Sequence, residues 1–60
     1  MVLGQLKAKR ESKEWTKEDL ASAAGMTVRN VDYLESGKGT TLNTAKRLAK
    51  LFKCSVEVLK

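Results

Sequence analysis

The sequence predicts an all-α fold, a compact five-helix bundle, and three observations carry that prediction. Apolar residues recur at helical spacing, and strand-like alternation never lasts more than a few residues. Proline, which would break a helix interior, is absent. Thr or Ser stands at the head of each of the last four helical stretches, at Thr16, Thr27, Thr41 and Ser55.

The first helix is expected over about Val2 to Ser12. Its stripe runs Leu3, Leu6 and then Arg10, so an arginine takes a place where an apolar residue belongs. Trp15 follows the exit and is expected to fill the apolar space between helices one and two. Thr16 with Asp19 three residues on forms a capping box, Asp replacing the commoner Glu. The second helix then runs from Lys17 to Ala24, burying Leu20, Ala21 and Ala24. Gly25 fits the left-handed position that ends it.

Thr27 caps a third helix from Val28 to about Ser36, with Val31 and Leu34 inward and Glu35 beside them. Gly37 terminates it. Thr41 caps a fourth helix, Leu42 to Phe52, whose stripe is Leu42, Ala45, Leu48, Ala49 and Phe52. Its other face carries Asn43, Lys46, Arg47, Lys50 and Lys53, a mostly solvated surface on which Lys46 and Arg47 lie nearest the helix start. Ser55 caps a last short helix with Val56 and Leu59.

Sixty residues make a single domain, 1–60, with room for only a modest core. Cys54 is the only cysteine and there is no histidine, which removes a disulfide framework and the usual zinc ligand sets. Cys54 is expected to be a small apolar residue of the core or a helix cap. Neither a metal nor a cofactor is expected. An enzyme is not expected either, for want of a nucleophile–base pair and of chain to build a pocket. No apolar run approaches the ~20 residues that span a bilayer. The amino-terminal stretch puts apolar residues before charges, the reverse of a secretory signal, so a cytoplasmic location is the expectation. The balance of 12 Lys+Arg against 7 Asp+Glu, net +5, favours polyanionic partners.

Residues 17–35, KEDLASAAGMTVRNVDYLE, carry the functional signal. Two short helices meet at a tight turn, Ala24-Gly25-Met26-Thr27, the geometry that sets a helix end into the DNA major groove. Ala21 is small where the helices approach, and Leu20, Ala24, Met26, Val31 and Leu34 supply a shared core. Val28, Arg29, Asp32 and Tyr33 are left on one outward face.

With LGQLKAKR before it, WTKEDLASAAGMTVRNVDYLESGK around it and TLNTAKRLAKLFKCSVEVL after it, the chain resembles the helix-turn-helix domain of phage repressors, Cro proteins and the XRE family of bacterial regulators. The resemblance spans nearly the whole chain and implies the lambda-repressor-like bundle, with helix three in the major groove. It nominates Thr27, Val28, Arg29, Asp32 and Tyr33 as base-contacting. Arg29 suits guanine O6 and N7, Val28 a thymine methyl, and Asp32 either cytosine N4 or the orientation of Arg29. Tyr33 suits a phosphate or a sugar edge.

The resemblance further places phosphate contacts at Thr16 and Lys17, where relatives often carry Gln for the lysine, and at Ser36, Lys38, Thr40, Thr41 and Asn43. Relatives often have Pro near Thr40-Thr41, which this chain lacks. The resemblance also implies that Arg10 and Glu35 pair as a structural clamp between helices one and three, which accords with the cost of burying a lone ion. It implies a homodimeric repressor on a pseudo-palindromic operator, with Val56, Val58 and Leu59 nominated for the dimer interface. No small-molecule ligand and no membrane partner are expected. An antitoxin-like or anti-repressor-like interaction module is the alternative, kept open by Glu18, Asp19 and Asp32 near the reading face.

Overall fold

A computed structural model describes all of residues 1–60. Five helices follow in order: α1 Leu6–Ser12, α2 Lys17–Ala24, α3 Val28–Glu35, α4 Leu42–Leu51 and α5 Val56–Leu59. They enclose one core, in which Leu6, Leu20, Val31, Ala45, Leu48 and Leu59 are wholly buried.

The caps explain most boundaries. Thr16 Oγ1 accepts the Asp19 N–H at 3.1 Å while Asp19 Oδ2 accepts the Thr16 N–H at 2.9 Å, completing the box. Thr27 and Thr41 accept the amides of Asn30 and Thr44. Ser55 stands ahead of α5 but makes no side-chain cap bond, contrary to expectation.

Three helices end alike. The amides of Trp15, Met26 and Cys54 reach back to the carbonyls of Arg10, Ala21 and Ala49. The preceding residues, Glu14, Gly25 and Lys53, are left-handed, with φ of 58°, 68° and 55°. This is the Schellman closure, and the residue after the left-handed one returns to the core. Trp15, Met26 and Cys54 all pack there. Glycine makes the conformation cheap at Gly25, whereas Glu14 and Lys53 adopt it against a side chain's preference.

Two further sequence-based expectations fail. The first helix begins at Leu6 rather than Val2. Residues 1–3 are extended instead: Val2 forms an antiparallel bridge with Gly39, and Met1 O accepts the Thr40 N–H at 2.7 Å. Gly4 then passes against the chain's last residue, where an added Cβ would lie 2.8 Å from the Lys60 carbonyl oxygen. A local helical pattern loses here to pairing with a residue 37 positions away, Val2 with Gly39. Leu42 is also not inward: it is 48 % exposed, while Ala45, Leu48, Ala49 and Phe52 are buried as expected.

Candidate nucleic-acid interface

The residues nominated for DNA lie at the start of α2, on the outward face of α3 and in the loop into α4. The junction of α2 and α3 fixes the rest. Gly25 lets the chain reverse within two residues, and Arg47 closes over it, donating from Nη2 to the Ala24 carbonyl at 2.8 Å. Arg47 lies on the exposed face of α4, as expected, and its guanidinium satisfies a carbonyl at the end of α2 that the helix itself leaves without a partner. Nothing in the sequence marks that contact, since 23 residues separate the two groups.

Val31 and Leu34 anchor α3 inward and turn Val28, Arg29, Asn30, Asp32 and Tyr33 to solvent. Val28 and Tyr33 are 40 % and 51 % exposed and so available for contact. Thr27, Arg29, Asn30 and Tyr33 line an open depression of about 250 Å³. Arg29 has no partner within the chain, so its fork of donors is free. No acidic residue occupies the first turn of α3, so the positive end of its dipole is uncompensated. Thr16 and Thr27 use lone pairs for their caps and keep their hydroxyl protons for another acceptor.

Four side chains expected on the DNA, those of Lys17, Asp32, Ser36 and Thr41, are engaged elsewhere. Asp32 does not meet Arg29; it accepts a hydrogen bond from Lys17 Nζ, joining the first residue of α2 to the second turn of α3. Ser36 directs its hydroxyl proton to the Tyr33 carbonyl at 2.7 Å, and Thr41 directs its own to Thr44 Oγ1 at 3.2 Å. A phosphate contact by either hydroxyl as donor requires that bond to break. Lys38 and Asn43 are exposed, and Thr40 is half-buried with its backbone tied to Met1. The loop therefore lacks the stiffness of proline but gains a brace from the amino-terminal residues Met1 and Val2.

The Lys17 ammonium holds the Asp32 carboxyl below its ordinary value, first through the hydrogen bond and then through charge. The folded-state value is the depressed one, so the pair's contribution is present above the ordinary carboxylate range and disappears as pH falls through the lowered value. We expect the Asp32 carboxyl carbon to titrate in NMR below 3.8, the ordinary aspartate value, and Lys17→Gln to move the midpoint up toward it. An unchanged midpoint in Lys17→Gln would show that the pair does not persist in solution.

Behind the reading face, Arg10 and Glu35 meet as a two-point pair. Nε donates to Oε2 at 2.7 Å and Nη2 to Oε1 at 3.2 Å, while Nη1 donates to the Trp15 carbonyl at 2.8 Å. Their side chains are only 9 % and 4 % exposed. The hydrogen bond to Glu35 raises the Arg10 pKa despite desolvation, so the guanidinium stays charged. The Trp15 carbonyl was not anticipated; it ties the α1–α2 connection to the same ion that holds α3.

The residues nominated for a dimer contact separate. Val58 is 42 % exposed and borders a groove with Gln5, Ala8, Lys9 and Ser12. Val56 is half-buried against the core. Leu59 is wholly buried and must be withdrawn as an exposed contact, because its side chain belongs to the core and its carbonyl accepts the Gln5 amide just ahead of α1.

No helix is long and apolar enough to cross a membrane. Comparison with curated proteins and with solved structures returns no match. The family model described as helix-turn-helix matches residues 6–59, from the first residue of α1 to the last of α5. The chain thus belongs to the helix-turn-helix family, as a double-stranded DNA-binding domain of the Cro/XRE regulator type.

Proposed function

We propose that the protein is a sequence-specific transcriptional repressor that binds a pseudo-palindromic operator as a homodimer, in the cytoplasm of a bacterium. The carrying observation is the family match over the whole bundle together with the outward face of α3, where Val28, Arg29, Asp32 and Tyr33 stand clear of the core. Arg29 reads guanine through two hydrogen bonds, and Val28 packs on a thymine methyl. Thr27 donates at the edge of the groove, and Tyr33 covers a sugar or a phosphate. Thr16, Lys17, Lys38, Thr40 and Asn43 set the register on the backbone. Two copies present their α3 helices about 34 Å apart, one duplex turn. Val58, with Val56 at its margin, contributes to the contact between copies.

Titration of a generic duplex at several salt concentrations tests the reading. Affinity should fall with a log–log slope of about −0.9 per phosphate contacted. On an operator selected from random duplexes, Arg29→Ala should lose about 1–3 kcal/mol and relax one base pair, whereas Lys38→Ala should weaken all sequences alike. Absence of duplex binding at low salt would instead identify a protein-interaction module that keeps the fold.

A further inference from the structure

We propose that Asp32 is a specificity-determining residue that acts through Lys17: on non-operator DNA its carboxylate keeps the lysine off the phosphates, and only a base pair offering Asp32 an amino group releases that lysine to the backbone. The proposal rests on the DNA-binding reading above and adds a coupling between two contacts.

The geometry carries it. Lys17 is the first residue of α2, where a helix start and a lysine together suit a phosphate. Asp32 lies 15 residues on, on the outward face of α3, and the two side chains meet across the mouth of the turn. Both remain open to water, 40 % and 63 % exposed, so the pair can be exchanged for other partners. No other cation pairs with Asp32, and no other carboxylate pairs with Lys17.

The chemistry restricts the exchange. An ionised carboxylate only accepts hydrogen bonds. Against a phosphate it meets like charge, so surrendering Lys17 there leaves Asp32 both unpaired and repelled. In the major groove the donors on base edges are the amino groups of cytosine N4 and adenine N6. A site that presents one of them to Asp32 replaces the lysine as its partner. Lys17 is then free to take a phosphate, and one more counterion leaves the DNA. Sequence recognition by a carboxylate thereby switches on a sequence-independent contact.

A double-mutant cycle tests the coupling: the unmodified chain, Asp32→Ala, Lys17→Gln and the double variant, each titrated against a scrambled duplex and a selected operator over a range of salt. Both sites are exposed, and a thermal melt of each variant establishes that it is folded. On the scrambled duplex, Asp32→Ala should tighten binding several-fold and steepen the log–log slope by about 0.9, one added phosphate contact. In the Lys17→Gln background the same substitution should leave the slope unchanged. The ratio of operator to scrambled affinity should fall in Asp32→Ala. Equal effects of Asp32→Ala in both backgrounds would reduce the carboxylate to a simple repelling charge and overturn the coupling, as would an unchanged slope. Failure of the unmodified chain to bind any duplex at low salt overturns the DNA-binding reading itself, and this proposal with it.

Discussion

Arg10→Met should unfold most of the population at ambient temperature. The substitution leaves the Glu35 carboxylate buried with no cation, and breaking a buried pair in this way costs about 3–5 kcal/mol. A 60-residue domain with one small core has about that much stability in total. The loss is compounded at the Trp15 carbonyl, which gives up its Nη1 donor. Urea denaturation followed through Trp15, the only tryptophan, measures the effect directly. The double variant Arg10→Met, Glu35→Leu should recover most of the loss, because an apolar pair of similar volume often matches a buried ion pair. Recovery should stop short by about 1 kcal/mol, the usual net worth of the hydrogen bond to Trp15 that neither Met nor Leu can restore. Equal stability of Arg10→Met and the parent would remove the clamp from the account of this fold. The functional consequence is orientation: Glu35 is the last residue of α3, so the pair fixes the rotation of the helix whose outer face is proposed to read bases.

Leu59→Ala should be the second large effect, at about 2–5 kcal/mol, and Val58→Ala should be small by comparison, within about 0.5 kcal/mol. The two residues are adjacent on one short helix, yet Leu59 is wholly buried and Val58 is 42 % exposed. Truncating Leu59 opens a cavity in the single core to which it belongs, while the exposed Val58 gives up little contact. The Leu59 carbonyl also accepts the Gln5 amide at 2.8 Å, so loosening α5 loosens the entry to α1. Sedimentation separates the roles further. If Val58 contributes to the contact between copies, Val58→Ala should weaken self-association without lowering the melting midpoint. A large loss of stability in Val58→Ala, or none in Leu59→Ala, would reverse the assignment.

Most of the architecture was legible because it is written in local chemistry. The Thr16–Asp19 box, the Thr27 and Thr41 caps and Gly25 mark helix ends by bonds within three or four residues. The pattern of Ala45, Leu48, Ala49 and Phe52 needs only helical spacing to reveal a buried face. Glu14 and Lys53 were harder: they close α1 and α4 in the left-handed region without being glycine, and their only signal is the apolar residue that follows each. The amino-terminal residues carry a helical pattern but do not form a helix, because Val2 bridges to Gly39 in a distant loop.

The sequence by itself determined the helical class, the order of the elements, the turn at Gly25 and the set of residues left facing outward from α3. Those features depend on propensity, capping and period, which act over a few residues. The tertiary structure alone decided which polar groups are already engaged. Lys17 is held by Asp32, Arg47 is turned onto the Ala24 carbonyl, Arg10 reaches Trp15 as well as Glu35, and Ser36 is closed onto Tyr33. A long or rotatable side chain has several acceptors within reach of its own position. Which one it takes depends on what the fold brings alongside, so the partner becomes fixed only when distant helices are packed together.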